Sequence, residues 1–178
     1  MSKLEVNAID SVGTTLTLGD TNATTLALNS SITTLPSALK NTPAFHVKLA
    51  SDQSVANATA TKIQFNTEFL DTDNCWDNAT NYRFTPTTAG QYFIGGLLRF
   101  QSSATASQCF FQIKKNGSSI AQSYYTNTFY NGHGIHIITN MNGSTDYIEF
   151  FAHHNFGSNT NIPTNDNTFG YGYKLIGA

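Results

Sequence analysis

Three sets of residues carry side chains with chemistry to offer. Asp71, Asp73 and Asp77, interleaved with Asn74 and Asn78, supply hard oxygen donors of the kind calcium takes. Only two positions follow EF-hand spacing. Cys75 stands where a third ligand belongs and the required glycine is missing, so a solvated turn is the simpler expectation, with a calcium site as the alternative. Histidines occur in the run Gly132-His133-Gly134-Ile135-His136 and as the pair His153-His154. Three copies of one of them on a threefold axis could hold a metal through imidazole nitrogens. Within one strand, however, residues three apart face opposite sides, so His133 and His136 are not expected to ligate together. Cys75 and Cys109 are the only cysteines, and free, partly buried thiols are expected, with a bridge between them as the alternative. The sequence contains no Gly-x-Ser-x-Gly elbow, no HExxH and no glycine-rich phosphate loop. Glu68 and Glu149 fall within expected strands, and nothing pairs them across a cleft as a glycosidase needs. The expectation is a protein without a catalytic site or cofactor.

Composition narrows the partners. Charged residues make up 11% of the 178 residues, less than half the usual share, while Thr and Asn together approach a quarter. Such an exterior is neutral and rich in hydrogen-bonding groups. A net charge of −2 gives no basic field, which argues against nucleic acid as a partner. No apolar run approaches membrane-spanning length, so no membrane partner is expected. The opening residues MSKLEVNAIDSVG lack the apolar core of a signal peptide, and synthesis without secretory export is expected.

The elements follow from periodicity and punctuation. Residues 82–100, YRFTPTTAGQYFIGGLLRF, organise the chain: aromatic and branched residues bounded by Pro86 and Gly90 read as strand, turn, strand. Tyr92, Ile94, Leu98 and Phe100 alternate with other residues, and Gly95-Gly96 suggests a bulge or a close backbone approach. Residues 62–70 alternate with Ile63, Phe65, Thr67 and Phe69 on one face. Residues 51–61, 101–107 and 154–166 are expected loops. Hairpins are expected across Asn116-Gly117 and Asn142-Gly143, pairs whose members tolerate the positive φ of a tight primed turn. Residues 44–49 open the domain and residues 168–176 close its sheet. No helical period occurs, and about ten short strands in one domain predict an all-β, antiparallel jelly-roll sandwich.

Residues 1–43 differ from residues 44–178, lacking aromatics and repeating TTL at Thr14, Thr24 and Thr33. The fuller copies, TTLTLGD and TTLALNS, predict short strands that need neighbours to bury Leu16, Leu18, Leu26 and Leu28. Those four leucines are the candidates for attachment to a larger particle; a loosely ordered tail is the alternative.

Several of these segments, in this order, resemble the complement 1q-type globular head, the trimeric jelly roll shared with the tumour necrosis factor family. The matching residues are Tyr82, Phe84, Pro86, Gly90, Tyr92 and Phe93, preceded by AFHVKL (44–49) and KIQFNTEFLDTDN (62–74). FQIKKNG (111–117), DYIEFF (146–151) and TFGYGYKLI (168–176) follow. The resemblance implies a homotrimer sealed by aromatic residues, with Tyr92, Tyr171 and Tyr173 as interface candidates; ordinary core is expected for many of the other aromatics, including Phe93 or its alternate-face neighbours. The TTL repeats are similar to those of phage structural proteins that carry a head on an attachment segment. Together they imply a bacteriophage virion protein, made in the host cytoplasm. It would decorate or cement the capsid, or form a short fibre, with the major capsid protein or a tail protein as partner. About 43 residues reach at most roughly 140 Å when stretched, which favours a position close to the particle over a long shaft. The rival is a tail-fibre or receptor-binding module whose loops, residues 102–107 or 154–166, touch a host-surface glycan or protein.

Overall fold

The computed structural model describes residues 40–102, 105–126 and 132–176. The attachment candidates Leu16, Leu18, Leu26 and Leu28 lie outside them. The strands are β1 (Ala44–Lys48), β2 (Gln53–Val55), β3 (Thr61–Lys62), β4 (Thr67–Asp71), β5 (Trp76–Asp77), β6 (Arg83–Phe84) and β7 (Gly90–Leu98). They continue with β8 (Cys109–Lys115), β9 (Ser118–Tyr125), β10 (His133–Met141), β11 (Ile148–His154), β12 (Thr160–Ile162) and β13 (Phe169–Lys174). One sheet runs β10-β7-β13-β1-β4 and the other β5-β6-β11-β8-β9, with β3 also on β11 and β12 paired with β2. Every pairing is antiparallel. This is the jelly-roll sandwich that the turn spacing predicts.

The core lies between the sheets, and period-two alternation fills it. Phe45, Val47, Tyr92, Ile94 and Leu98 face inward from one sheet; Phe111, Ile113, Ile148, Phe150 and Ala152 face inward from the other. Phe150 is the hub, its ring centroid 5.6 Å from that of Phe65, 5.8 Å from Phe111, 6.3 Å from Trp76 and 6.4 Å from Phe45. The Trp76 indole satisfies its one donor by giving it to the Phe65 carbonyl at 3.0 Å.

These rings occupy so much space that β13, the central strand of its sheet, inverts the usual pattern. Its inward positions are Gly170 and Gly172, and its outward positions are Phe169, Tyr171 and Tyr173. A Cβ on Gly172 would stand 2.6 Å from Ile94 Cδ1 and 2.7 Å from Phe45 Cε1. The Phe45 ring cannot retreat, held 5.0 Å from Trp76 and 4.5 Å from Phe84. Overpacking of this kind costs about 1–3 kcal/mol. Gly172→Val should therefore lower Tm by roughly 3–10 °C in a thermal melt followed by circular dichroism.

Four sequence expectations need correction. Residues 82–84 and 90–98 do not pair: β6 lies in one sheet and β7 in the other, and Phe84 meets Tyr92 across the sandwich at 5.6 Å. Asn142-Gly143 does not close a hairpin, because β10 pairs with β7 and β11 with β8. Residues 62–70 form no single strand; β3 and β4 join different sheets, leaving Ile63 and Phe65 buried but Phe69 61% exposed. The expected loops 51–61 and 154–166 contain β2 and β12, which pair with each other. Of the two readings of Gly95-Gly96, bulge or close approach, the close approach holds: the register with β10 and β13 is unbroken, and added Cβ atoms would come 2.6 Å from Tyr171 Oη and 2.6 Å from the Phe169 carbonyl.

Buried histidines make the fold acid-sensitive. His154 is fully buried; its Nε2 lies 3.0 Å from the Val55 carbonyl, to which it donates, and its Nδ1 accepts the Phe156 N–H at 3.4 Å. Both nitrogens are used only if the ring is neutral. Burial lowers the pKa of His154, His133 and His153, and burial followed by the Lys48 charge lowers that of His46. The unfolded chain therefore binds more protons than the native one as pH falls through about 6.5, and stability must fall with it. Tm is expected to hold above about pH 7.5 and to decline steadily towards pH 5 in buffers of matched ionic strength.

Candidate oligomerisation face

The outward face of β10-β7-β13-β1-β4 carries what a monomer would hide. The strand register sets its side chains in rows. One row runs Ile138, Phe93, Tyr173; the next runs His136, Gly95, Tyr171, His46, Leu70; the third contains Leu97, Phe169 and Lys48. Aromatic contacts link the rows into one chain of rings. His136 lies 5.6 Å from Phe93, which is 5.7 Å from Tyr173 and 6.1 Å from Tyr171. The chain continues from Tyr171 to Phe169 at 6.0 Å, to His46 at 5.6 Å and to Phe69 at 5.4 Å. Gly95 permits this arrangement, because only a missing side chain lets the Tyr171 ring lie across β7.

The edge strand β4 extends the same surface. The β1–β4 register slips between His46 and Val47: Leu70 stands opposite His46 and Glu68 opposite Val47, leaving Phe69 as the extra residue. A bulge re-aims side chains. Here it brings Phe69 against His46 and under the Lys48 ammonium, 4.8 Å from the ring centroid, while Leu70 is 47% exposed beside it. Lys48 is itself paired with Asp166 at 2.8 Å, so the face carries little uncompensated charge. Ile138 is 55% and Tyr173 36% exposed, a concentration of apolar surface that in soluble proteins marks an interface.

Among the interface candidates, Tyr171 and Tyr173 lie on this face and Tyr92 does not. Tyr92 is fully buried in the protomer core, with its hydroxyl donating to the Thr88 carbonyl at 2.7 Å, so it offers a neighbour no surface. Phe93 occupies an outward position, and its alternate-face neighbours Tyr92 and Ile94 are the core residues. Strand alternation decides this: Tyr92 shares its side with Ile94 and Leu98, both fully buried. The sequence singled out His136 only as a possible metal ligand on a threefold axis, and it did not mark His46, Phe69, Ile138 or Phe169 as face residues. The signal that could have found three of the face residues is the Phe-Gly-Tyr-Gly-Tyr alternation of residues 169–173, which puts rings on one side and bare backbone on the other.

The polar candidates serve the fold. The two oxygens of Asp71 accept the Cys75 and Trp76 N–H groups, each at 2.9 Å. Asp77 accepts the N–H groups of Ala79 and Thr80 at 3.1 and 2.8 Å and the Asn81 amide at 2.7 Å. Those bonds, the Thr80 one foremost, pull its acid down to about 2. Asp71 and Asp77 are committed to their turn and Asp73 is exposed, and among the described residues no three His, Cys, Asp or Glu side chains converge on a metal position. His133 is buried against Tyr125 while His136 is outward, on opposite sides of β10 as alternation requires. Cys75 and Cys109 are both buried, and no disulfide joins them. Glu149 pairs with Lys62, and Glu68 is exposed and separate from it.

No protein-family model matches the sequence, and no curated protein matches it either. Its similarity to solved structures is one of shape. Murine APRIL superposes with a TM-score of 0.59 at 12% identity, covering 74% of this chain and 98% of that one. The globular domain of zebrafish complement 1qA gives 0.53 at 11% identity, covering 75% and 97%. PRD1 vertex protein P5 gives 0.55 at 15% identity, covering 74% and 96%. With an all-β antiparallel sandwich and these neighbours, the described domain has the jelly-roll fold of the complement 1q and tumour necrosis factor heads.

Proposed function

We propose that the chain is a homotrimeric surface protein of a bacteriophage virion, a knob that decorates or cements the capsid or tips a short fibre. The observation that carries this reading is the inverted strand β13: glycines inside, rings outside, on an exposed sheet. A lone protomer gains nothing from directing Phe169, Tyr171 and Tyr173 to water, whereas three copies packed about an axis bury them together. The fold of a vertex protein from phage PRD1 supports the virion setting, as does the neutral, Thr- and Asn-rich composition. Residues 1–43 would attach the knob to a capsid or tail protein. Three attachments on one particle raise the effective concentration of each and hold the knob in place.

Electron microscopy of virions assembled with and without the protein tests the reading. A knob that disappears on deletion supports it, and reduced capsid resistance to heating with normal adsorption identifies cement. Particles identical in both preparations would refute a virion role.

A further inference from the structure

A polar cleft lies among residues 49–54, β3 and residues 64–66. Its volume is about 590 Å³, within the roughly 300–1,000 Å³ typical of small-molecule sites. Such sites are usually apolar, but this one is lined by amides, hydroxyls and one carboxylate, with Leu49 as its apolar wall. The Gln53 side chain forms a rigid floor, spanning the cleft like a short strand. Its Nε2 donates to the Lys62 carbonyl at 2.7 Å, and its Oε1 accepts the Gln64 N–H at 2.8 Å.

The walls are fixed in the same manner. Asp52 Oδ1 accepts the Thr164 N–H at 2.8 Å, and Asn66 Oδ1 accepts the Ala50 N–H at 2.7 Å. Each of these side chains spends one polar atom on the backbone and keeps the other. Among the described residues, nothing hydrogen-bonds Asp52 Oδ2, Asn66 Nδ2 or the Gln64 side-chain amide. The cleft therefore presents a pre-oriented carboxylate oxygen and one pre-oriented amide at little cost in rotamer freedom, with the unbonded Gln64 amide beside them to turn onto a ligand. Its only cation, Lys62, is already engaged by Glu149 and the Asn81 carbonyl, so no free positive charge awaits a phosphate, sulfate or carboxylate.

We propose that this cleft binds a neutral saccharide unit, with Asp52 Oδ2 accepting from one hydroxyl and the Asn66 and Gln64 amides bonding its neighbours. Adjacent hydroxyls, each both donor and acceptor, match a carboxylate set beside amides. An apolar or anionic ligand would leave these groups unpaired or repelled. Without an aromatic platform in the lining, one cleft binds weakly, with a Kd on the order of 1–10 mM. The site lies within a single protomer, so it stands or falls independently of the trimer.

Ligand-observed NMR titration of the full chain tests this, using methyl glycosides of glucose, galactose, mannose and N-acetylglucosamine up to about 50 mM, with neutral oligosaccharides of each. Binding of at least one glycoside, weakened tenfold or more in both Gln64→Ala and Asp52→Asn, supports the proposal. Gln64 lends the fold only its main chain, and Asp52→Asn keeps the oxygen that accepts Thr164, so both variants should melt within a few degrees of the wild type. Tighter binding of the oligosaccharide would identify a polymer as the natural source, and equal binding a free sugar. No binding by any probe, or binding that neither variant weakens, would overturn it.

Discussion

Phe150→Ala is expected to remove about 3–5 kcal/mol of the domain's stability, a large share of what such a domain holds. The ring is fully buried and touches Phe45, Phe65, Trp76 and Phe111, which come from both sheets. Truncating such a side chain removes its transfer energy and leaves a cavity, at a cost of about 3–5 kcal/mol. Phe45 and Phe65 are held by other rings and Trp76 by its hydrogen bond to the Phe65 carbonyl, so these neighbours cannot move in to fill the void. Domains of this size have only about 5–15 kcal/mol in hand. Urea denaturation should show a midpoint lowered in proportion at an unchanged slope; a shift below 1 kcal/mol would mean that the core is not organised around this ring.

The second large effect concerns assembly. The double change Ile138→Asp with Tyr173→Asp puts two carboxylates on neighbouring outward positions either side of Phe93. Both sites are exposed in the protomer, so the fold should persist with Tm changed by only a few degrees. In a closed trimer six carboxylates would lose their water, each at a cost of several kcal/mol. Every 1.4 kcal/mol is tenfold in affinity, so the association constant should fall by many orders of magnitude and leave monomer at micromolar concentration. Circular dichroism together with sedimentation velocity separates this result from simple unfolding.

The fold was legible in the sequence where local chemistry decided it. Asn116 and Gly117 adopt φ of 52° and 80°, and the hairpin they predict joins β8 and β9. Asn142-Gly143 looked identical but obeys a longer-range constraint. Asn142 Oδ1 accepts the N–H groups of Ser144, Thr145 and Asp146, which opens the turn into a wider loop and lets the flanking strands enter different sheets. In residues 62–70 the alternation is real up to Phe65. There Asn66 turns to accept the Ala50 N–H, and the chain crosses to the other sheet.

The candidate face was half legible. Tyr171 and Tyr173 follow from their glycine neighbours, but Tyr92 was expected on the face because an aromatic pair on one strand does not reveal which member faces in. Phe69 could not be foreseen, since its outward direction depends on a bulge set by pairing with β1. The polar cleft was invisible for the same reason. It forms where residues 51–54 and 61–66, read as loop and strand, are clamped by the Gln53 amide.

The central claim is that the outward rings of β7, β10 and β13 are sealed between three identical chains. Sedimentation equilibrium of the purified full chain, diluted to the nanomolar range, tests it directly. A species of about 58 kDa, three times the 19.4 kDa chain, is the predicted result. A folded species of 19.4 kDa at all concentrations would contradict it.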